Sequence, residues 1–182
     1  MPTIAIISPK GGTGKSTLAE SLRQALTPSE LVDFDHQQTI TILAALNGKP
    51  EPVTHEQASA KNVIYDTPPY NDERNIALMK EADFVIVPIK GGPSDIAAFP
   101  MVYKNINTAK AWRKTYVVFN EVRLPETKLH RKMRQIFEKN FPKVRIAKTS
   151  LSNLIAFKEV LMGRLRGEAA KQIELLKEEI GL

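Results

Sequence analysis

Short apolar runs alternate with amphipathic stretches along most of the chain. Thr3–Ser8 is an apolar, β-branched run that leads directly into a glycine-rich turn, which predicts a buried parallel strand. From Ser16 to about Leu26, leucine recurs every four residues before a Thr-Pro-Ser break, which predicts a helix. The chain therefore begins with a strand–loop–helix unit.

The same alternation continues along the chain. It predicts further strands at Leu31–Phe34, Asn62–Asp66, Phe84–Pro88 and Tyr116–Asn120. It predicts intervening helices at Thr39–Leu46, Asp72–Ala82 and roughly Ser94–Ala109, and a loop at Lys49–Ala60. Beyond these we expect a basic helix near Pro125–Asn140, a short strand at Val144–Ile146, and helices near Ser152–Met162 and Glu168–Ile180. This order indicates an α/β fold, with a mostly parallel, twisted sheet covered by helices on both faces.

The glycine-rich turn carries the most specific motif of the sequence. Its residues 9–17 read PKGGTGKST, between a predicted strand and a predicted helix, which is the context of a phosphate-binding loop. Glycines let backbone amides surround a phosphate, and the helix N-terminus adds partial positive charge. Lys15 is expected to reach the β- and γ-phosphates, and the Ser16 hydroxyl to bind Mg²⁺. The residues expected to contact nucleotide here are Gly11, Gly12, Thr13, Gly14, Lys15, Ser16 and Thr17.

One position departs from the usual form of such a loop. Pro9 occupies the place of the first glycine in the pattern G-x-x-x-x-G-K-[ST]. A glycine turn between strand and helix that binds no ligand is therefore the alternative interpretation.

The segment KGGTGKST resembles the deviant Walker A box of the ParA/MinD family, whose distinguishing feature is a second lysine, here Lys10. VDFDHQQT is similar to the family's D-x-D-P-Q switch I segment, and YDTPP to its D-x-P-P switch II segment. The resemblance covers most of the chain and is strongest to small plasmid-partition ParA proteins without an N-terminal helix-turn-helix domain. It implies a three-layer α/β/α P-loop NTPase formed by a single domain over residues 1–182. His36 departs from the pattern, because the family usually has proline there. No partner pattern for metal binding or acid–base work lies near it, so we treat His36 as incidental.

The resemblance also implies Mg²⁺-dependent ATP hydrolysis and assigns roles to particular residues. Lys10 would reach across an ATP-bound dimer to the partner's phosphates, and would act with Lys15 and Asp35 in catalysis. Asp35 would orient or deprotonate the attacking water, and Ser16, Asp35 and Asp66 would form the metal site. Asp33 either supports the metal shell or simply ends its strand. Asn120 either contacts the adenine amino group or forms a turn.

Charge is distributed unevenly along the chain. The net charge is +6, but residues 1–100 hold 8 basic and 12 acidic groups whereas residues 101–182 hold 18 and 8. Within 128–148 a single acid, Glu138, accompanies many basic residues. Helical spacing places four of them near one side: Lys128, Arg131, Lys132 and Lys139. The same spacing predicts a packing stripe formed by Leu129, Met133, Ile136 and Phe137. Clustered basic residues attract polyanions, and the resemblance to ParA proteins implies DNA binding without sequence preference. A solvated basic surface is the alternative.

Composition excludes several other classes of protein. The chain has no cysteine, which excludes thiolate catalysis, cysteine-ligated zinc and iron–sulfur carriage. The first apolar run is broken by Ser8 and Pro9 and has no basic leader, so we expect neither a signal peptide nor membrane association. The expected location is cytoplasmic and nucleoid-associated.

These observations together predict a ParA-type partition ATPase. It would form a homodimer on binding ATP, bind DNA without sequence preference, and segregate plasmid or chromosomal DNA with a ParB-like centromere-binding protein. Two alternatives remain: a related ATPase that positions a non-DNA cargo, and a metabolic P-loop enzyme of the dethiobiotin-synthetase type.

Overall fold

A central sheet with helices on both faces forms the fold, in a computed structural model that describes residues 2–69, 73–123 and 127–182. The strands are β1 Thr3–Ile6, β2 Ser29–Asp33, β3 Asn62–Asp66, β4 Phe84–Ile89, β5 Thr115–Phe119 and β6 Arg145–Ile146. The helices are α1 Lys15–Ala25, α2 Thr39–Leu46, α3 Glu73–Glu81, α4 Pro93–Ala109, α5 Lys128–Asn140, α6 Ile155–Glu159 and α7 Gly167–Ile180. None of the described helices is long and apolar enough to cross a membrane.

The strand order is β2-β3-β1-β4-β5-β6, and every pairing is parallel. The chain leaves β1 towards β2 on one side of the sheet and later crosses from β3 to β4 on the other. The carboxyl end of β1 therefore lies where the connections diverge, which is where open α/β sheets bind ligands. The phosphate-binding loop predicted from the sequence begins at this end.

Alternate residues of β1 enter two different cores, as the two-residue period of a strand requires. Ile4 and Ile6 belong to a core shared with α1, α6 and α7. Ala5 and Ile7 belong to a core shared with α3, α4 and α5, in which Phe99 is fully buried. The predicted three-layer α/β/α arrangement is therefore confirmed.

Three lysines donate hydrogen bonds to backbone carbonyls of other segments, at or just after the ends of helices. The Lys49 ammonium donates to three carbonyls just beyond α6, at 2.6–3.3 Å. Lys114 donates to carbonyls at the end of α3, and Lys177 donates to the Ala25 carbonyl at 2.8 Å. The last carbonyls of a helix lack partners within it, and Lys114 and Lys177 satisfy carbonyls of this kind, whereas Lys49 holds the turn that follows α6.

Several predicted boundaries differ from the observed ones. The helix expected at Ser152–Met162 is confined to Ile155–Glu159, because the amide and hydroxyl of Ser152 are paired with Gln172. The segment predicted as loop, Lys49–Ala60, contains a short 3₁₀ helix at His55–Gln57. The predicted starts of two helices, at Asp72 and Pro125, lie outside the described residues.

Candidate functional site

The loop after β1 is held in shape by its own side chains. The Thr13 hydroxyl donates to Ser8 Oγ at 2.8 Å, and the Ser8 hydroxyl donates to the Lys10 carbonyl at 2.9 Å. Both hydroxyl-bearing residues are buried, whereas Gly11 and Gly12 are exposed. The loop is therefore braced from beneath, and its glycine backbone lies open to a ligand.

Asn120 braces the same loop from the end of β5. Its amide nitrogen donates to the Thr13 carbonyl at 2.8 Å, and its oxygen accepts from the Glu121 amide at 2.9 Å. Gly14 has φ +85, and a Cβ there would lie 2.2 Å from the Asn120 amide nitrogen. Only glycine fits at position 14, since the backbone is left-handed and the neighbouring side chain occupies the space.

Two clefts meet at Gly14 and Thr17. The first has a volume of 180 Å³ and lies between the phosphate-binding loop and the residues that follow β2, including Asp35 and Gln37. The second has a volume of 80 Å³ and reaches Asn120 and the 152–158 segment. An extended ligand can place a charged end in the first cleft and a flat ring in the second.

Lys15 and Asp35 face each other across the first cleft. Lys15 begins α1 and is 5 % exposed, and its ammonium lies 4.0 Å from Asp35 Oδ2. The other oxygen, Asp35 Oδ1, accepts from the Gln37 amide at 3.0 Å. The pair places a cation and a carboxylate at the open backbone of the loop.

Asp66 is a fully buried carboxylate at the end of β3. Neither of its oxygens has a hydrogen-bond partner at normal geometry within the described residues. Burial raises the pKa of Asp66 to about 7, and the nearby Ser16 hydroxyl and Lys15 ammonium only partly offset that increase. A buried carboxylate without partners is costly unless a cation completes its surroundings.

The donor set at Asp66 fits Mg²⁺. Oxygen ligands are those that Mg²⁺ prefers, and it typically keeps several waters and binds few protein groups together with substrate phosphates. Across the described part of the chain, no group of three or more His, Cys, Asp or Glu residues is arranged to hold a metal. A site made of Ser16, Asp66 and phosphate oxygens is compatible with both observations.

Asp33 is held by hydrogen bonds on both carboxylate oxygens. Oδ1 accepts from the Asp35 amide at 3.1 Å, while Oδ2 accepts from the hydroxyl and amide of Thr41 at 3.0 and 3.3 Å. Burial raises the pKa of Asp33, opposed by these hydrogen bonds. Asp33 therefore does more than end its strand, because it joins β2 to the first turn of α2.

Lys10 is turned towards the start of α4. Its ammonium lies 2.8 Å from Asp95 Oδ1 and donates to Ser94 Oγ at 2.8 Å. Asp95 is fully buried, and its second oxygen accepts from the Gly92 amide at 2.9 Å. The second lysine of the loop is thus held within its own subunit by a buried carboxylate.

His36, treated as incidental on sequence grounds, has a partner. Its Nε2 lies 3.1 Å from Arg74 Nη2 on α3. This contact joins the residues that follow β2 to the helix that follows the YDTPP segment.

Helix α5 presents the basic side predicted from its spacing. Lys128, Arg131, Lys132 and Lys139 are exposed, and none forms an ion pair with another described residue. Met133 and Phe137 are buried beneath them, but Leu129, expected in the packing stripe, is 52 % exposed. Arg134 is not part of the free basic surface, because it donates to the Ala147 carbonyl and the Ser150 hydroxyl.

Some residues of the site carry no signal in the sequence. Asp95 is distant in sequence from Lys10, and Thr41 lies eight residues after Asp33 with no motif that pairs the two. Ser8 could have been suspected, because a small polar residue at the end of an apolar strand commonly bonds within a turn.

The parallel sheet, the braced glycine loop and the buried lysine and carboxylates define a P-loop nucleotide-binding protein. The profile described as the CobQ/CobB/MinD/ParA nucleotide binding domain matches residues 4–163. The chain belongs to this family, and it is a ParA/MinD-family ATPase. No curated protein matches the sequence closely enough to count as a relative.

Solved structures with the same fold include three with different names. A Borrelia burgdorferi protein described as a plasmid partition protein, bound to AMPPNP, has a TM-score of 0.74 at 16% identity and covers 97% of each chain. Apo McdA from Cyanothece has a TM-score of 0.79 at 17% identity and covers 100% of each chain. MinD from Aquifex aeolicus has a TM-score of 0.69 at 16% identity and covers 100% of this chain and 98% of its own. At these identities the similarity establishes the fold alone.

Proposed function

We propose that residues 1–182 form one ParA-type partition ATPase domain. It forms a homodimer on binding ATP and Mg²⁺, and the dimer binds nucleoid DNA in the cytoplasm without sequence preference. Hydrolysis, stimulated by a ParB-like centromere-binding protein, releases the DNA and moves a plasmid or chromosomal cargo. The observation that carries this proposal is the unpaired basic face of α5 on the same molecule as a phosphate loop with a second lysine.

Phosphoryl transfer to water mainly needs positioning and neutralisation of charge. The first cleft offers both, since the open glycine amides and Lys15 surround the phosphates while Asp35 stands at the opposite wall to orient water. Ser16 and Asp66 would hold Mg²⁺, which neutralises charge on the β- and γ-phosphoryl oxygens when it is bound. Asn120 borders the second cleft, where the adenine ring would lie.

Lys10 is the group that would make hydrolysis depend on dimerisation. In the subunit it is paired with Asp95 and Ser94, so it does not serve its own phosphates in this arrangement. To act on a partner's nucleotide, its ammonium must leave the buried carboxylate. We propose that the phosphates of the facing subunit compete for this cation.

The DNA-binding part of the proposal is tested by co-sedimentation with non-specific duplex DNA. The protein is assayed with ATP and Mg²⁺, with ADP and Mg²⁺, and without nucleotide, at several salt concentrations. We expect binding with ATP to exceed the other two and to weaken steeply with salt, because binding releases counterions from the phosphates. Equal binding in all three conditions would contradict a nucleotide-dependent dimer.

A matched pair of double variants distinguishes the effect of the α5 face on DNA binding from the effect of total positive charge. K128A/K132A should weaken binding and reduce the log–log salt slope by about 1 per lost phosphate contact. K104A/K171A removes the same charge from exposed positions on α4 and α7. An equal loss of DNA affinity in both variants would mean that net charge, rather than the α5 face, determines binding.

A further inference from the structure

We propose that Asp33 and Thr41 form a clamp that fixes the position of Asp35, which makes both of them positioning residues for ATP hydrolysis. The inference rests on the proposed function for its catalytic consequence. The clamp itself is a feature of the fold and can be tested without nucleotide.

The loop that carries Asp35 is closed at both ends by one carboxylate. On the strand side, Asp33 Oδ1 accepts from the Asp35 backbone amide at 3.1 Å. On the helix side, Asp33 Oδ2 accepts from the Thr41 hydroxyl at 3.0 Å and from its amide at 3.3 Å. The carboxylate therefore joins the end of β2 to the start of α2 across residues 34–40.

Helix α2 needs this carboxylate because it lacks a cap of its own. Its N-cap residue, Gln38, has φ 46 and makes no side-chain cap hydrogen bond, and its first turn contains no acidic residue. The first amides of a helix have no partner within it and favour a nearby negative charge. Asp33 supplies the acceptor and the charge from the preceding strand.

Asp35 takes its position from this loop. Its carbonyl accepts from the Gln38 amide at 2.9 Å, and its carboxylate lies 4.0 Å from the Lys15 ammonium. If α2 moves relative to β2, the backbone that carries Asp35 moves with it. A catalytic carboxylate displaced by even a fraction of its working distance loses rate, because the reacting groups must be held in line.

A metal-supporting role for Asp33 makes a different prediction. Both of its oxygens already accept hydrogen bonds from the loop, so a direct metal role would require them to change partners. Under that role, removal of the Thr41 hydroxyl would either alter Mg²⁺ affinity or leave both Mg²⁺ affinity and the turnover number unchanged. Under the clamp, the turnover number falls while Mg²⁺ and ATP affinities are retained.

The test compares Thr41→Val, which removes the hydroxyl at constant shape, with Thr41→Ser, which keeps it. We expect Thr41→Val to lower kcat for ATP hydrolysis about tenfold, as for a lost hydrogen bond to a charged group, and to change KM by less than about twofold. Thr41→Ser should restore kcat to within about twofold of the unsubstituted protein. Thr108→Val, at an exposed position of α4, is the control for removing a helical threonine hydroxyl.

The clamp proposal is overturned if Thr41→Val retains full kcat or if Thr41→Ser fails to restore kcat. It is also overturned if Thr41→Val weakens Mg²⁺ binding instead of lowering kcat. A second readout is amide hydrogen exchange of Asp35 and Thr41 in the nucleotide-free protein, followed by NMR. Exchange should be faster in Thr41→Val than in Thr41→Ser, and equal rates would also overturn the clamp. If the unsubstituted protein does not hydrolyse ATP, the proposed function fails, and amide exchange alone decides the clamp.

Discussion

Gly14 illustrates, at the scale of a single residue, how the loop depends on a distant side chain. Its left-handed backbone and the 2.2 Å approach of Asn120 are separate obstacles to any other residue. The first belongs to the loop itself, and the second arises because β5 ends beside it. Their energetic contributions can be measured apart.

We expect Gly14→Ala to destabilise the protein by about 1–2 kcal/mol for the left-handed backbone and a further ~1–3 kcal/mol for the close contact. Gly48→Ala is the matched control, since Gly48 has φ +59 with open space around it. Urea unfolding of both variants, and of Gly14→Ala combined with Asn120→Ala, measures the coupling. A Gly14→Ala cost equal to that of Gly48→Ala would show that Asn120 does not restrict the loop.

Asp66 makes the nucleotide-free protein sensitive to pH. Its pKa of about 7 lies above the ordinary value of 3.8, so the folded state binds the proton more tightly than the unfolded state does. Free energy of unfolding should therefore fall as pH rises from about 4 to about 7. Asp66→Asn removes this loss of stability. The free energy of unfolding of Asp66→Asn should therefore exceed that of the unsubstituted protein by more at pH 8 than at pH 5.

Asp83 provides the control with the opposite sign. Its pKa is lowered, chiefly by the hydrogen bond from the Thr3 amide. Its contribution to stability is present above the ordinary pKa of an aspartate and is lost as pH falls through the lowered value. Asp83→Asn should thus be less stable than the unsubstituted protein at pH 8 and equal to it in strong acid. Chemical unfolding without Mg²⁺ or nucleotide measures both variants, and a gain for Asp66→Asn that does not change with pH would contradict the assignment.

At the scale of elements, some basic residues stabilise the fold and do not provide free positive charge. Lys49 follows α2, yet its ammonium holds the turn that follows α6, a helix that borders the cleft proposed for adenine. Arg134 on α5 is likewise held by the segment that follows β6. The charge available to a polyanion is therefore smaller than the sequence count suggests.

We expect Lys49→Met to lower the free energy of unfolding by about 1.5–3 kcal/mol, because hydrogen bonds from a charged donor to three carbonyls are lost. Lys61→Met, at an exposed position, should change it by less than about 0.5 kcal/mol. Denaturant unfolding of the two variants makes the comparison. Equal effects would show that the hydrogen bonds from Lys49 to the turn after α6 contribute nothing measurable to stability.

The whole molecule is proposed to work as a dimer in which Lys10 of each subunit acts on the phosphates bound by the other. Lys10→Ala should still bind nucleotide, but its turnover should fall about 100-fold or more, as for a lost trans-acting cation in phosphoryl transfer. Lys171→Ala, an exposed lysine of α7, should leave turnover unchanged. Sedimentation velocity with a slowly hydrolysed ATP analogue and phosphate release measure the two properties. A protein that stays monomeric with unchanged turnover after Lys10→Ala would contradict the proposal.

Much of the fold could be predicted because local patterns specify it. β3 and α2 begin and end as predicted, since an apolar run and a helix closed by Asn47-Gly48 each depend only on neighbouring residues. α6 could not be predicted at its true length, because Gln172 on a distant helix pairs with Ser152 and prevents helix there. Leu129 was assigned to the packing stripe of α5 but is exposed, since its burial depends on which elements pack against the first turn of the helix.

The sequence by itself determined the parallel α/β fold, the phosphate loop with its second lysine, and the family to which the chain belongs. The fold and the loop follow from local order, because a strand, a glycine turn and a helix are encoded in consecutive residues, and the family follows from the resemblance of the KGGTGKST, VDFDHQQT and YDTPP motifs. Only the tertiary structure decided that Lys10 rests on Asp95, that Asn120 braces Gly14, and that Asp33 holds Thr41. The first two contacts join elements that are distant along the chain, and the third joins two consecutive elements. In each case the distance is set by how the sheet and helices pack.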